Sequence, residues 1–205
     1  MIENMEDDIM KLIGLCGKMG SGKTTLAQIM IDHGIAYHKI SFANGVRFAA
    51  KYLFDIDSRK RNKRTREILQ QIGQKMRDID PDVWIKTMIK GLNYIPDIEN
   101  EIIVIDDVRY KNEVEWILKN NGIIIIIGCD DETRRKRIEK RDNIFIPSEK
   151  WHEISFHKSE LEINFIYTEF IDHKNVYFYA NRNTDDIEGQ FLDWIDIVWK
   201  DENEF

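Results

Sequence analysis

Two rhythms of apolar residues alternate along the chain. Short continuous runs at 11–16 (KLIGLC), 36–40 (AYHKI), 101–106 (EIIVID), 123–129 (IIIIIGC) and 176–180 (VYFYA) have the length of strands and are mostly β-branched or aromatic. Between them, apolar residues recur at helical spacing, as Ile187, Phe191, Trp194, Ile195 and Val198 do near the C-terminus. Strands and helices taking turns predict an α/β fold on a parallel sheet. Ile123 to Ile127 are five isoleucines with no polar residue among them, which predicts a strand covered by helices on both faces. The expected fold class is a three-layer α/β/α domain around a five-stranded parallel sheet.

Helix ends are legible too. One helix follows Gly22 and stops at Gly34, a second opens with Asp80 as N-cap and Pro81 at its first position, and a third runs from about Lys111 to Asn120. The last starts near Asp185, with Glu188 spaced for a capping box. About sixty residues separate the second and third strands. Residues 44–95 therefore read as a helical insertion, either a substrate-binding wing or additional packing.

Composition narrows the class. The 205 residues suit one domain (11–205), and the acidic segment 1–10 lacks the order of a signal peptide and reads as a frayed, disordered tail. Thirty Lys and Arg against thirty-seven Asp and Glu give a net charge of −7, which argues against nucleic-acid binding through bulk positive charge. The run Arg59-Lys60-Arg61-Asn62-Lys63-Arg64 is either a nuclear-localisation or nucleic-acid patch or a solvated loop or helix entry. Two cysteines without ligand spacing predict a reducing compartment, and no apolar run approaches the roughly 20 residues of a membrane helix. The expectation is a cytoplasmic protein, in the host cytoplasm if the chain is viral. Whether it forms a homodimer is open.

The strongest chemical signal is Gly17-Lys18-Met19-Gly20-Ser21-Gly22-Lys23-Thr24, a full G-x-x-x-x-G-K-[ST] phosphate loop between a strand and a helix. Glycines let successive N–H groups turn inward around a polyphosphate, and the helix N-terminus adds positive charge. Lys23 would reach the β- and γ-phosphates and Thr24 would ligate Mg2+, with Thr25 beginning the helix beside them. The third strand ends in Asp106 and Asp107, either of which could hold the cation from across the loop. The base-reading N-K-x-D of GTPases is missing, and motor or AAA-type ATPases are usually larger. A small kinase with acceptor and lid segments fits the length better.

Asp107-Val108-Arg109-Tyr110-Lys111-Asn112-Glu113, with Trp116 and Gly122 beyond it, resembles the D-V-R-[FY]-x-N-E signature of the deoxynucleoside monophosphate kinases of tailed bacteriophages and related viruses. Three further segments agree in order. Ser41-Phe42-Ala43-Asn44 with Arg47 is similar to that family's F-A-D-x-x-K segment, with Asn44 and Arg47 replacing an acid and a lysine. Arg66 to Gly73, then Arg77 and Asp82-Val83-Trp84, is similar to its R-x-L-L-Q-x-x-G … R … D-x-W segment. His157-Lys158-Ser159-Glu160, then Asn181 and Thr184, is similar to its H-x-S-E and N-x-G-T blocks, with Asn183 where glycine is usual. The resemblance implies a P-loop kinase that moves the γ-phosphate of ATP, with Mg2+, onto a (deoxy)nucleoside monophosphate. A kinase of another phosphorylated metabolite, phosphomevalonate-like, and a P-loop ATPase or switch are the alternatives.

Joining two anions calls for arginines that grip phosphate bidentately. They occur at Arg66 and Arg77, at Arg109, and at Arg134, Arg135 and Arg137. By the resemblance, Arg109 and Arg77 hold the acceptor phosphate and a lid near 131–160 supplies a further arginine, with Arg137 favoured for catalysis and Arg134 placed near ATP. Asn181 joins the ATP side by the same resemblance, while Arg47, Arg66, Glu113, His157 and Glu160 join the acceptor side. Gln70, Gln71 and Trp84 are candidates for the acceptor base, Trp84 being equally a core residue. The expected catalytic set is Lys23, Asp107, Arg109 and Arg137.

Overall fold

The computed structural model describes residues 11–60, 62–96, 98, 101–182 and 186–201. The acidic segment 1–10, Arg61, Asn183, Thr184 and Asp185 lie outside the described residues.

Five parallel strands form one sheet in the order β2-β3-β1-β4-β5: β1 (Lys11–Cys16), β2 (His38–Ile40), β3 (Ile102–Val108), β4 (Ile123–Gly128) and β5 (Val176–Ala180). β1 is central, with Ile13 beside Val104 on one side and Ile123 on the other. Its register with β3 shifts between Gly14 and Cys16, just before the phosphate loop. Because all five strands run one way, Gly17, Ser41, Arg109, Cys129 and Asn181, the residues that follow them, emerge along one edge of the sheet. Open α/β sheets bind their ligands at that edge.

The isoleucine run behaves as its pattern demands. Ile124 and Ile126 enter the apolar layer with Leu12, Phe42, Trp84 and Ile117, while Ile125 and Ile127 enter the opposite layer with Leu26, Met30, Phe191 and Ile195. The layer with Phe42 and Trp84 is completed by α2 (Ala43–Phe54), α3 (Lys63–Ile79), α4 (Val83–Leu92), α5 (Lys111–Lys119) and α8 (Lys158–Phe170). The opposite layer is covered by α1 (Lys23–Asp32) and α9 (Ile187–Asp201). Two further helices, α6 (Asp131–Asp142) and α7 (Ser148–Ser155), lie between β4 and α8. Among the described residues, no helix is long and apolar enough to cross a membrane.

Element boundaries differ from the sequence expectation where local hydrogen bonds intervene. β2 starts at His38, because the N–H groups of Ile35 and Ala36 are spent closing α1 on the Met30 carbonyl. β3 runs on to Val108, so Asp106 and Asp107 are part of the strand. The Asp80-Pro81 start is corrected by two residues: a turn from Val83 N–H to Asp80 C=O precedes α4, and Asp80 caps the end of α3 instead. Asn62 caps α3 through Thr65 N–H at 2.9 Å, so Lys63 and Arg64 of the basic run open a helix.

Candidate active site

The phosphate loop is built as its sequence requires. Gly20 and Gly22 have φ of +82° and +100°, values that L side chains rarely adopt. A Cβ on Gly22 would lie 2.3 Å from Asn181 Nδ2, which donates to the Ser21 carbonyl at 2.7 Å. Asn181, arriving from β5, thus braces the loop from behind. Lys23 is buried, and its ammonium donates to the carbonyls of Gly17 and, at 3.0 Å, Lys18. Burial, with help from nearby Arg109, holds its pKa down to about 7, against the opposing pull of Glu160, Cys16 and Asp107. Thr24 and Thr25 are exposed at the first turn of α1.

The two aspartates at the end of β3 have different work. Asp107 accepts from Ser41 Oγ (2.5 Å), Phe42 N–H (2.8 Å) and Ala43 N–H (2.9 Å), so it anchors the start of α2. Asp106 lies beside Thr24, and burial followed by the charge of Asp107 pushes its pKa up. The oxygen pair suited to a hard cation is therefore Thr24 with Asp106. Asp107, expected as a catalytic and metal residue, has its oxygens engaged by Ser41, Phe42 and Ala43. Among the described residues, no three His, Cys, Asp or Glu side chains form a metal cage. One carboxylate and one hydroxyl fit an ion that takes its other ligands from phosphates and water.

Beside the loop runs a chain of alternating charges. Arg77, on α3, lies with its guanidinium 4.0 Å above the Tyr110 ring and donates to Gly73 C=O and to Glu113 at 3.0 Å. Glu113, buried on α5, also accepts from the N–H groups of Arg109 (2.8 Å) and Tyr110 (3.1 Å). Burial pushes its pKa up to about 7, although Arg77 pulls the other way. Arg109 continues to Glu160 at 2.8 Å, and Glu160 to Arg134 at 2.8 Å. The structure thus brings Lys23, Arg77, Arg109, Glu113 and Glu160 together, with Arg47 near Asp106.

Several expected site residues lie elsewhere or are occupied. Trp84 is 5% exposed, donates to Gly73 C=O and packs against Gly45, so it is core and no base platform. Arg66 pairs with Asp142 at the end of α6 at 2.6 Å, away from the arginine chain. Arg134 is fully buried and spends its nitrogens on Met19 C=O, Asp131 and Glu160. It braces the loop, with each of its three side-chain nitrogens on a protein acceptor. Arg137 stands on the Gly22 side of the loop, with weak contacts to Asn181 and Cys129 at 3.3 and 3.5 Å. It therefore lies beside Gly22 at the start of α1, apart from the pairs that join Arg77, Glu113, Arg109 and Glu160. Glu113 and Glu160, expected on the acceptor side, are filled by protein donors. His157 caps α8 through Ser159 N–H, yet shares a groove with Gln70, Gln71 and Gln74.

The AAA domain family matches residues 13–150 of the chain. A protein of Acanthamoeba polyphaga mimivirus named "Putative deoxynucleotide monophosphate kinase" is 30% identical over 165 residues, covering 64% of this chain and 83% of the viral one. The chain belongs to the deoxynucleotide monophosphate kinase family of P-loop proteins. Its fold is shared by TT1252 from Thermus thermophilus, with a TM-score of 0.57 at 16% identity over 94% of this chain and 98% of that one. A gluconokinase from Sinorhizobium meliloti 1021 gives 0.50 at 11% identity over 95% and 99%. These two likenesses are of fold alone. The AAA domain match takes in the phosphate loop, β3 and α6, although the chain is shorter than motor or AAA-type ATPases usually are.

Some residues of this kinase-family site had no signal in the sequence beyond their neighbours. Ser41 acts through Asp107, 66 positions away, and Tyr110 acts as the surface on which Arg77 lies. Only the run of matched motif residues around them pointed to either.

Proposed function

We propose that the protein transfers the γ-phosphoryl group of ATP to a phosphate oxygen of a (deoxy)nucleoside monophosphate, giving ADP and the nucleoside diphosphate. The observation that carries this reading is a second cationic site, Arg77 and Arg109, linked to the phosphate loop through Glu113 and Glu160. A kinase for a monophosphate must hold two anions close together, and a P-loop ATPase needs only one such site.

The loop N–H groups and Lys23 would cradle the triphosphate, with Arg137 on the nucleotide side. Thr24 and Asp106 would hold Mg2+, which when bound neutralises charge between the β- and γ-phosphates. Arg77 and Arg109 would grip the acceptor phosphate, and the groove of Gln70, Gln71 and His157 would take its nucleoside. The acceptor oxygen is already ionised, so no general base is required; the oxygen attacks phosphorus while the bond to the β-phosphate oxygen breaks. The family relation and the relative's printed name favour a deoxynucleotide. Arg77→Gln is expected to raise KM for the monophosphate at least about 10-fold while KM for ATP moves less than about threefold, in line with the loss of a charged phosphate contact. Equal changes in both would remove Arg77 from the acceptor site.

A further inference from the structure

Glu160 is the third residue of α8, where a glutamate commonly reaches back to its own helix start. Here His157 accepts from Ser159 N–H at that start, and Glu160 reaches out of the helix instead. Its side chain is 3% exposed, and both oxygens lie on Met19 N–H, at 3.1 and 3.0 Å. Oε1 also accepts from Arg109 Nη1 and Oε2 from Arg134 Nη2, each at 2.8 Å. Arg134 donates in turn to the Met19 carbonyl at 2.9 Å. The middle of the phosphate loop is therefore gripped at both its N–H and its C=O by groups from α8 and α6.

Arg109 commits only Nη1, to Glu160 and more weakly to Ser159 Oγ at 3.5 Å. Among the described residues, its Nε and Nη2 have no protein acceptor. An arginine on a loop has many rotamers, and fixing it beforehand removes an entropic cost from ligand binding. A carboxylate on one end of the guanidinium orients it and leaves the remaining donors for a second anion.

We propose that Glu160 is a positioning residue for the transfer: it presets Arg109 for the acceptor phosphate and ties that arginine to the middle of the phosphate loop. This rests on the reading of the site as a nucleoside monophosphate kinase. Its oxygens are spent on Met19, Arg109 and Arg134, so its effect on the acceptor phosphate passes through Arg109.

The test is a double-mutant cycle on the full chain, with Glu160→Gln and Arg109→Lys singly and together. The readout is kcat/KM for the deoxynucleoside monophosphate that the parent uses best, at saturating ATP. Glu160→Gln is expected to lower it at least about 10-fold in the parent and less than about threefold beside Arg109→Lys, with KM for ATP within about threefold throughout. Where Glu160→Gln melts below the assay temperature, Glu160→Asp, which keeps a counter-charge for buried Arg134, carries the same comparison. Equal losses in the two backgrounds, or a fully active Glu160 variant, overturn the proposal alone. A parent protein that phosphorylates no monophosphate overturns it together with the proposed function.

Discussion

Asp106 and Asp107 are neighbours in sequence and opposites in role. Asp107 is saturated by Ser41 and two backbone N–H groups, while Asp106 faces Thr24. Asp106→Asn is therefore expected to cut Mg2+-supported turnover by about 10² or more with little change in melting. Asp107→Asn should cost about 1–3 kcal/mol of stability by loosening the start of α2, read by urea unfolding. Lys23 makes a pH prediction. Its ammonium loses its proton near pH 7 in the free protein, and a triphosphate beside it favours the charged form. ATP binding at pH 8 should then take up a proton, with Kd rising up to about 10-fold per pH unit above 7. Calorimetry in two buffers of different ionisation enthalpy measures this; a heat independent of buffer contradicts it.

The strands and the loop were legible because their signals are local. Five isoleucines must be buried on both faces whatever surrounds them, and the glycines at 20 and 22 take positive φ because the turn has no other solution. Roles set by distant partners were not legible. Trp84 depends on the Gly73 carbonyl and on the space left by Gly45, and Arg66 on the far end of α6. Their residue types suited a ligand site equally well. Trp84→Ala should cost about 3–5 kcal/mol of stability, a loss too large for an exposed base platform and measurable by denaturant unfolding. Gly22→Ala should weaken ATP at least about 10-fold, since the added methyl must displace Asn181 from the Ser21 carbonyl.

Across the whole molecule, helices around the site are linked by charge. Arg66 joins α3 to Asp142 at the end of α6, and the chain from Arg77 to Arg134 joins α3, α5, α8 and α6 to the phosphate loop. Since Arg141 also pairs with Asp142, Arg66→Ala should cost only about 1 kcal/mol. It should leave KM for the monophosphate within about threefold, as steady-state kinetics would record.

The central claim is that the loop and the arginine pair beside it serve two anions at once. The direct measurement is coupled ADP production with Mg2+ and ATP across the ribo- and deoxynucleoside monophosphates, with phosphomevalonate alongside. Rapid ADP release that requires one of the nucleoside monophosphates is the predicted result. ADP release that no acceptor accelerates, or one that only phosphomevalonate accelerates, would contradict it.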